Sequence, residues 1–254
     1  MSNSESIILD LQKRFHPRPH TPIKKLTVDD QVPLTSDMSA SISTIHHINQ
    51  IRAERGKNPL LHDTRAYDLS VVRAKDMYDY GYLDHKNPYT GSCPNNIKSK
   101  FDFDDKEYVI ENAALYGVAG KPTLSNPPIS TVIDAWMNSI GHKYNLLYYD
   151  HNGGAFSCYG GYCVFIGVTD DGYTGSEIKE CHTVKEGAEF FRRLENCSDQ
   201  KMLEYESFQR EYKEIRTEYE KIPQVVHSER EYLEAENMFT KLEALRSQIE
   251  SFRC

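Results

Sequence analysis

Between residues 41 and 81 the apolar positions of this chain recur at helical spacing. The first such stretch, about 41–55, ends before Gly56. A second opens at Asp63, whose carboxylate can accept the unpaired N–H groups of a first turn. It carries Tyr67, Val71, Ala74 and Tyr78 at steps of four and three, and Gly81 is a natural stop. Residues 82–126 hold no sustained period and read as loop with short elements. Asn126 and two prolines then lead into a third helix with Val132, Ile133 and Trp136 on its apolar face. The segment GHKYNLLY reads as a turn, followed by two apolar runs, 155–158 and 163–168, that predict a hairpin closed by Gly160 and Gly161. Helices interleaved with short strands predict an α/β sandwich.

The two ends of the chain break this pattern. Residues 1–40 are polar, carry Pro17, Pro19, Pro22 and Pro33, and read as an arm or linker with one short helix about 7–15. From residue 183 the periodicity is purely helical. Tyr205, Phe208, Tyr212, Ile215, Tyr219 and Ile222 form one stripe, and Ala235, Met238, Leu242, Leu245, Ile249 and Phe252 a second. Pro223 ends the first helix and Ser228 with Glu231 forms a capping box for the next, while Thr183 with Glu186 opens a shorter one. The expected domains are therefore an arm (1–40), a mixed body (41–182) and a charged helical tail (183–254). Helices at about 202–222 and 229–252 with a short link predict an antiparallel hairpin. Its stripes can seal one another, dock on the body, or pair two chains into a homo-oligomer.

Composition narrows the function classes. The net charge is −8, so the basic excess that an extensive nucleic-acid surface requires is missing. Residues 185–254 carry 12 Lys/Arg against 16 Asp/Glu, a dense but acidic surface. No run reaches the ~18–20 apolar residues of a membrane-spanning helix. The first twenty residues lack the apolar centre and small-residue cleavage site of a secretory signal, which points to the cytoplasm. Six cysteines show neither CxxC nor a paired zinc spacing. Cys158 and Cys163 flank the predicted hairpin turn, where they can form a disulfide or stand as two buried thiols in a reducing cell.

Four separated segments carry the chemistry: GYLDHKNPYTG (81–91), IENAALYG (110–117), AWMNSIGHKYNLLY (135–148) and GGAFSCYGGYCVFIGV (153–168). In this order they resemble the CAP superfamily of cysteine-rich secretory proteins, antigen 5 and pathogenesis-related protein 1, in its prokaryotic SCP-like form. The likeness runs from IHHINQIRAERGKNPLLHD (45–63) to about Val168, roughly half the chain. It implies a three-layer α-β-α sandwich, followed here by the helical hairpin, and an extracellular location at odds with the N-terminus. It also implies one cleft holding His85, His142 and Glu111, with Asn145 and Tyr144 lining or bracing it. The family's second acid falls on Ser139, so three of four cleft groups are kept. Two imidazoles so placed can bind Zn²⁺ weakly through ring nitrogens, with Glu111 orienting one of them. Ser139 lies in no GxSxG elbow and has no triad acid, which argues against a nucleophile.

Three functions fit these residues. One is a non-enzymatic CAP module whose cleft takes a divalent metal or a small, lipid-like ligand, with the tail for attachment. Another is a zinc-assisted hydrolase using His85, His142 and Glu111. The third is an interaction protein acting through the tail. The missing second acid favours the first and third.

Overall fold

The computed structural model describes residues 35–118, 121–122, 125–170, 181, 183, 192, 194, 196–219, 221–222 and 229–254. In chain order the body runs α1 (Met38–Ala53), β1 (Leu61–His62), α2 (Thr64–Tyr80), α3 (Pro94–Ile97) and a 3₁₀ turn (Lys98–Phe101). It continues through β2 (Tyr108–Leu115), the paired β3 (Gly117–Val118) and β4 (Lys121–Pro122), α4 (Ile129–Met137), α5 (Ile140–Leu146), β5 (Gly153–Tyr159) and β6 (Tyr162–Thr169). Two longer helices follow, α6 (Asp199–Tyr219) and α7 (Glu229–Ser251). The chain divides into two compact units, Met1–Lys185 and Glu186–Cys254.

The glycine-closed hairpin is the middle of the first unit. Gly160 and Gly161 both take positive φ, 58° and 83°, the two left-handed positions of a two-residue hairpin turn. β5 and β6 therefore pair antiparallel from Tyr159↔Tyr162 back to Gly153↔Val168. β1 adds parallel to β5 and β2 antiparallel to β6, giving the order β1-β5-β6-β2 with β2 at one edge. Because strand side chains alternate, the sheet is apolar on both faces. Val164, Ile166 and Val168 pack with Ala66, Leu69, Ala74 and Met77 of α2. Cys163, Phe165 and Phe156 pack with Ile45 and Ile48 of α1, Val132, Ile133 and Trp136 of α4, and Leu146 of α5. The result is a three-layer α-β-α sandwich.

Local chemistry sets the element ends. Asp63 accepts from the N–H groups of Arg65 and Ala66 to start α2, and Gly81 ends it in the left-handed conformation at φ 66°. Where α1 was expected from about residue 41, it starts at Met38, capped by Asp37, whose carboxylate accepts from Ala40 N. Just before it, Ser36 N donates to Cys158 O and its hydroxyl accepts from Cys158 N, which ties the start of α1 to the hairpin.

Two elements differ from the sequence reading. GHKYNLLY is a helix, α5, because Ser139 stands extended at φ −113° before it and accepts from Lys143 N through its carbonyl. At the other end Arg52, fully buried, donates to the carbonyls of Leu146, Tyr148 and His151, so the last turn is satisfied by a side chain 94 residues away. The stretch 82–126 contains β2, eight residues long, whose polar Glu111 and Asn112 are both buried and hide its strand pattern.

In the second unit α6 and α7 lie antiparallel. Tyr205 meets Phe252 at 5.0 Å between ring centroids, and Tyr219 meets Phe239 at 6.3 Å. Tyr205, Leu242, Leu245, Ile249 and Phe252 of the two stripes are buried, so the stripes seal one another near the chain end. The disulfide Cys197–Cys254 closes the open end of this hairpin. The expected arm helix at 7–15, Glu186 of the helix expected to open at Thr183, and the Pro223 and Ser228 boundary signals lie outside the described residues. Among the described residues no helix is long and apolar enough to cross a membrane.

All six cysteines are paired, as Cys93–Cys181, Cys158–Cys163 and Cys197–Cys254. Cys158 and Cys163 are directly opposed across the hairpin, with 4.0 Å between their Cα atoms. Cys158 turns its own N–H and C=O out to Ser36, so this is the closer, non-hydrogen-bonded kind of pair.

Candidate functional site

β2 is an edge strand, so its two faces meet solvent along one line. Consecutive residues point to opposite faces. Glu111 reaches into the α2 layer, and Asn112 into the α4–α5 layer, where each holds one wall of a site.

The first wall is the loop after α2. Arg73, 1% exposed, donates to both carboxylate oxygens of Glu111, at 2.7 and 3.2 Å. Its remaining N–H groups reach Tyr82 Oη, Asp76, and the carbonyls of Asp84 and His85, which fixes the backbone at the histidine. Asn87 is also fully buried; its amide donates to Asp76 while its oxygen accepts from Tyr89 N and Thr90 N, an Asx-type turn that shapes the KNPYTG loop. His85 is thereby set with Nδ1 3.0 Å from Glu111 Oε1, its side chain 29% exposed.

The second wall is α5. Asn112 Nδ2 donates to His142 O at 3.0 Å, and its oxygen accepts from Asn145 Nδ2 at 2.9 Å. Asn145 Oδ1 in turn faces His151 Nε2 at 2.7 Å, and His151 Nδ1 faces Thr169 Oγ1 at 3.1 Å. With Asn145 Oδ1 able only to accept, His151 carries its proton on Nε2 and takes the Thr169 hydroxyl proton on Nδ1. The whole relay is buried. The His142 ring packs on Trp136 at 6.1 Å and meets Ser139 Oγ through Nδ1 at 2.9 Å. Asn145 thus braces the wall from inside and does not line the opening.

The electrostatics of the two walls differ. Burial opposes the charge of Glu111, but the Arg73 guanidinium and the hydrogen bonds from His85 and Arg73 hold its carboxyl below the usual range. Burial together with the nearby His85 pushes His142 down to about 4, and burial beside Arg52 pushes His151 down to about 3. His142 is therefore a neutral imidazole across the physiological range.

Both Nδ1 atoms are engaged, and neither Nε2 atom has a partner among the described residues. Two neutral imidazoles suit zinc, but the described residues contain no group of three or more His, Cys, Asp or Glu side chains placed to hold a metal. Among the described residues His85 and His142 alone would be supplied, leaving two tetrahedral positions to solvent or ligand.

Arg73, Asn87, Asn112 and His151 were not singled out in the sequence. A buried arginine on the apolar face of a helix was the available signal for Arg73. The other three act through contacts that local periodicity does not encode.

The pattern of the cysteine-rich secretory protein family (CAP) matches residues 45–168. The chain is 33% identical over 99 residues to the uncharacterized protein YkwD of Bacillus subtilis (strain 168), covering 39% of this chain and 34% of that protein. It thus spans about a third of the length of this curated relative. Among solved structures it is similar to an extracellular protein containing a SCP domain from Bacillus anthracis, with a TM-score of 0.42 and 21% identity over 51% of this chain and 41% of the other. It is also similar to an outer surface protein from Borrelia burgdorferi, with a TM-score of 0.42 and 19% identity over 54% of this chain and 96% of the other. Residues 45–168 of this chain are a CAP domain, the domain of the cysteine-rich secretory protein family.

Proposed function

We propose that the His85–His142 pair is the recognition site of a non-enzymatic CAP module and takes a divalent metal ion or a small ligand. The helical unit then serves attachment or association. One observation carries the reading: each ring is fixed at Nδ1 by its own wall, and both Nε2 atoms stay available. A bound Zn²⁺ would supply Lewis acidity to a coordinated oxygen. His85 and His142 would hold it, Glu111 would orient His85, and Arg73 would keep Glu111 ionised.

The same ion pair weighs against a hydrolase. Glu111 is tied to Arg73 through both oxygens and is held below the ordinary carboxylate range, so it is a poor acceptor for a proton from water.

Calorimetric titration with ZnCl₂ tests the metal reading. The parent should bind weakly and His142→Ala not at all, while Glu111→Gln should lose less than either histidine variant, because it acts through His85. Equal zinc binding by His142→Ala and the parent would move the site elsewhere.

A further inference from the structure

β2 lies at the edge of the sheet, and its register against β6 decides which of its backbone groups face outward. In an antiparallel pair, residues that exchange hydrogen bonds alternate with residues that do not. Two contacts fix the phase. Val109 turns its N–H and C=O away from β6, because both are taken by the side-chain amide of Asn95, at 3.2 and 2.8 Å. Opposite it, Val168 gives its carbonyl to Asn152 N on the far side of β6. Glu111, Ala113 and Leu115 share the phase of Val109, so their N–H and C=O groups also point off the sheet. Among the described residues no hydrogen bond reaches those groups. The edge is thus stopped at Val109 and left open from Glu111 to Leu115, in the stretch whose side chains support His85 and His142.

We propose that the open edge of β2 is a docking site for an extended peptide segment of a partner protein, which adds to the sheet as one more strand. Its backbone pairs with Glu111 and Ala113 and replaces, bond for bond, whatever solvent the free edge holds. The donors and acceptors of this edge repeat every ~6.8 Å, the two-residue spacing of another strand. Residues opposite one another in a sheet send their side chains to the same face. A residue opposite Glu111 therefore points towards His85, and its neighbour points to the His142 wall, so the two rings read alternate positions of the segment. Glu111 is already neutralised by Arg73, which suits an uncharged amide backbone. A second copy of this chain fits poorly. Glu111 and Ala113 are 8% and 7% exposed, so the edge is recessed between the His85 loop and α5. Two such edges brought to the ~4.8 Å of paired strands would drive these walls into one another, whereas a lone extended segment carries no walls. Docking here rests on the reading of this opening as a recognition site and needs no metal.

Random heptapeptides displayed on phage, selected against the full chain in the presence of EDTA, supply the probe; the enriched sequence is then synthesised and titrated. Its binding should slow hydrogen exchange at the Glu111 and Ala113 amides. N-methylation of the peptide should weaken binding about tenfold or more at alternate positions, those whose N–H faces β2, and leave the intervening positions within about twofold. Ala113→Pro removes an outward donor while Asn112 and Ala114 keep their bonds to β6, and it should bind the peptide about tenfold more weakly. Should that variant not fold, the N-methyl scan decides alone. The proposal is overturned by the enrichment of no sequence, by equal tolerance of N-methylation at every position, by protection of neither amide, or by unchanged binding in a folded Ala113→Pro. Protection that rises with protein concentration in the absence of peptide assigns the edge to a second copy and overturns it too. A chain that binds the peptide in this pattern but does not bind ZnCl₂ supports the docking edge and removes the metal reading alone.

Discussion

At the scale of single residues, Gly167 shows how tightly the site is supported. A Cβ added there would stand 2.2 Å from His151 Nε2. That ring cannot step aside, because Asn145 and Thr169 hold its two nitrogens and it is 1% exposed. Gly167→Ala should therefore cost about 1–3 kcal/mol or more, read as a lower urea midpoint with an unchanged slope. It should also disturb the His142 wall, which hangs on the same relay. His151 and His142 together predict acid sensitivity. Both fold with pKa values below the ordinary 6.5, near 3 and 4, so the unfolded chain binds more protons between those values and 6.5. Stability should fall as pH drops through 6.5 towards 4, each histidine adding up to about 1.4 kcal/mol per pH unit. His151→Gln removes one of the two contributions, and its melting temperature should depend visibly less on pH across that window. An identical dependence would mean that His151 is not buried neutral. His85, Glu111 and His142 were marked through the family resemblance that the four ordered segments carry, and residue types alone did not mark them. Arg73 and His151 were not marked, because their importance lies in partners 38 and 18 residues away.

At the scale of elements, capping chemistry was the most legible signal. Asp63 and Gly81 bound α2, and the two glycines set the hairpin register, because both effects are local. α5 and β2 were not legible. The first is a seven-residue helix whose last carbonyls depend on Arg52, and the second buries a salt-bridged glutamate where a strand pattern calls for an apolar residue. β2 also explains the spacing of the site: one peptide link, between Glu111 and Asn112, joins the supports of both histidines. Glu111→Gln removes one partner of the buried pair with Arg73 and should cost about 3–5 kcal/mol in chemical denaturation. A loss under about 1 kcal/mol would show that Asp76 and Tyr82 suffice for the guanidinium. In the helical unit, the apolar stripes were legible because their period is regular. Leu245→Asp puts a charge into the seam between α6 and α7 and should sharply lower the melting of the helical signal at 222 nm. An unchanged melt would show that the stripes are not packed together.

At the scale of the molecule, the chain is two units, each with its own disulfide framework. Cys93–Cys181 and Cys158–Cys163 lie within the first unit and Cys197–Cys254 within the second. Spacing left the hairpin pair open between a disulfide and two buried thiols, and bridges spanning 88 and 57 residues were not suggested at all, because nothing local selects them. Loop-closure entropy assigns about 4–5 kcal/mol to each of the long loops and about 2 kcal/mol to the short one. Reduction should therefore lower the calorimetric melting temperature of both units, and a protein insensitive to dithiothreitol would show that the bridges constrain nothing. The complete pairing has another consequence. A native chain with no free thiol is silent to maleimide, so each pair of sulfurs that becomes reactive under limiting reductant dates the opening of the segment it closes. The hairpin centre, the body loop and the helical clasp are three separately addressable clocks, distinguishable by the mass of the labelled peptides. The molecule carries its own record of the order in which it comes apart.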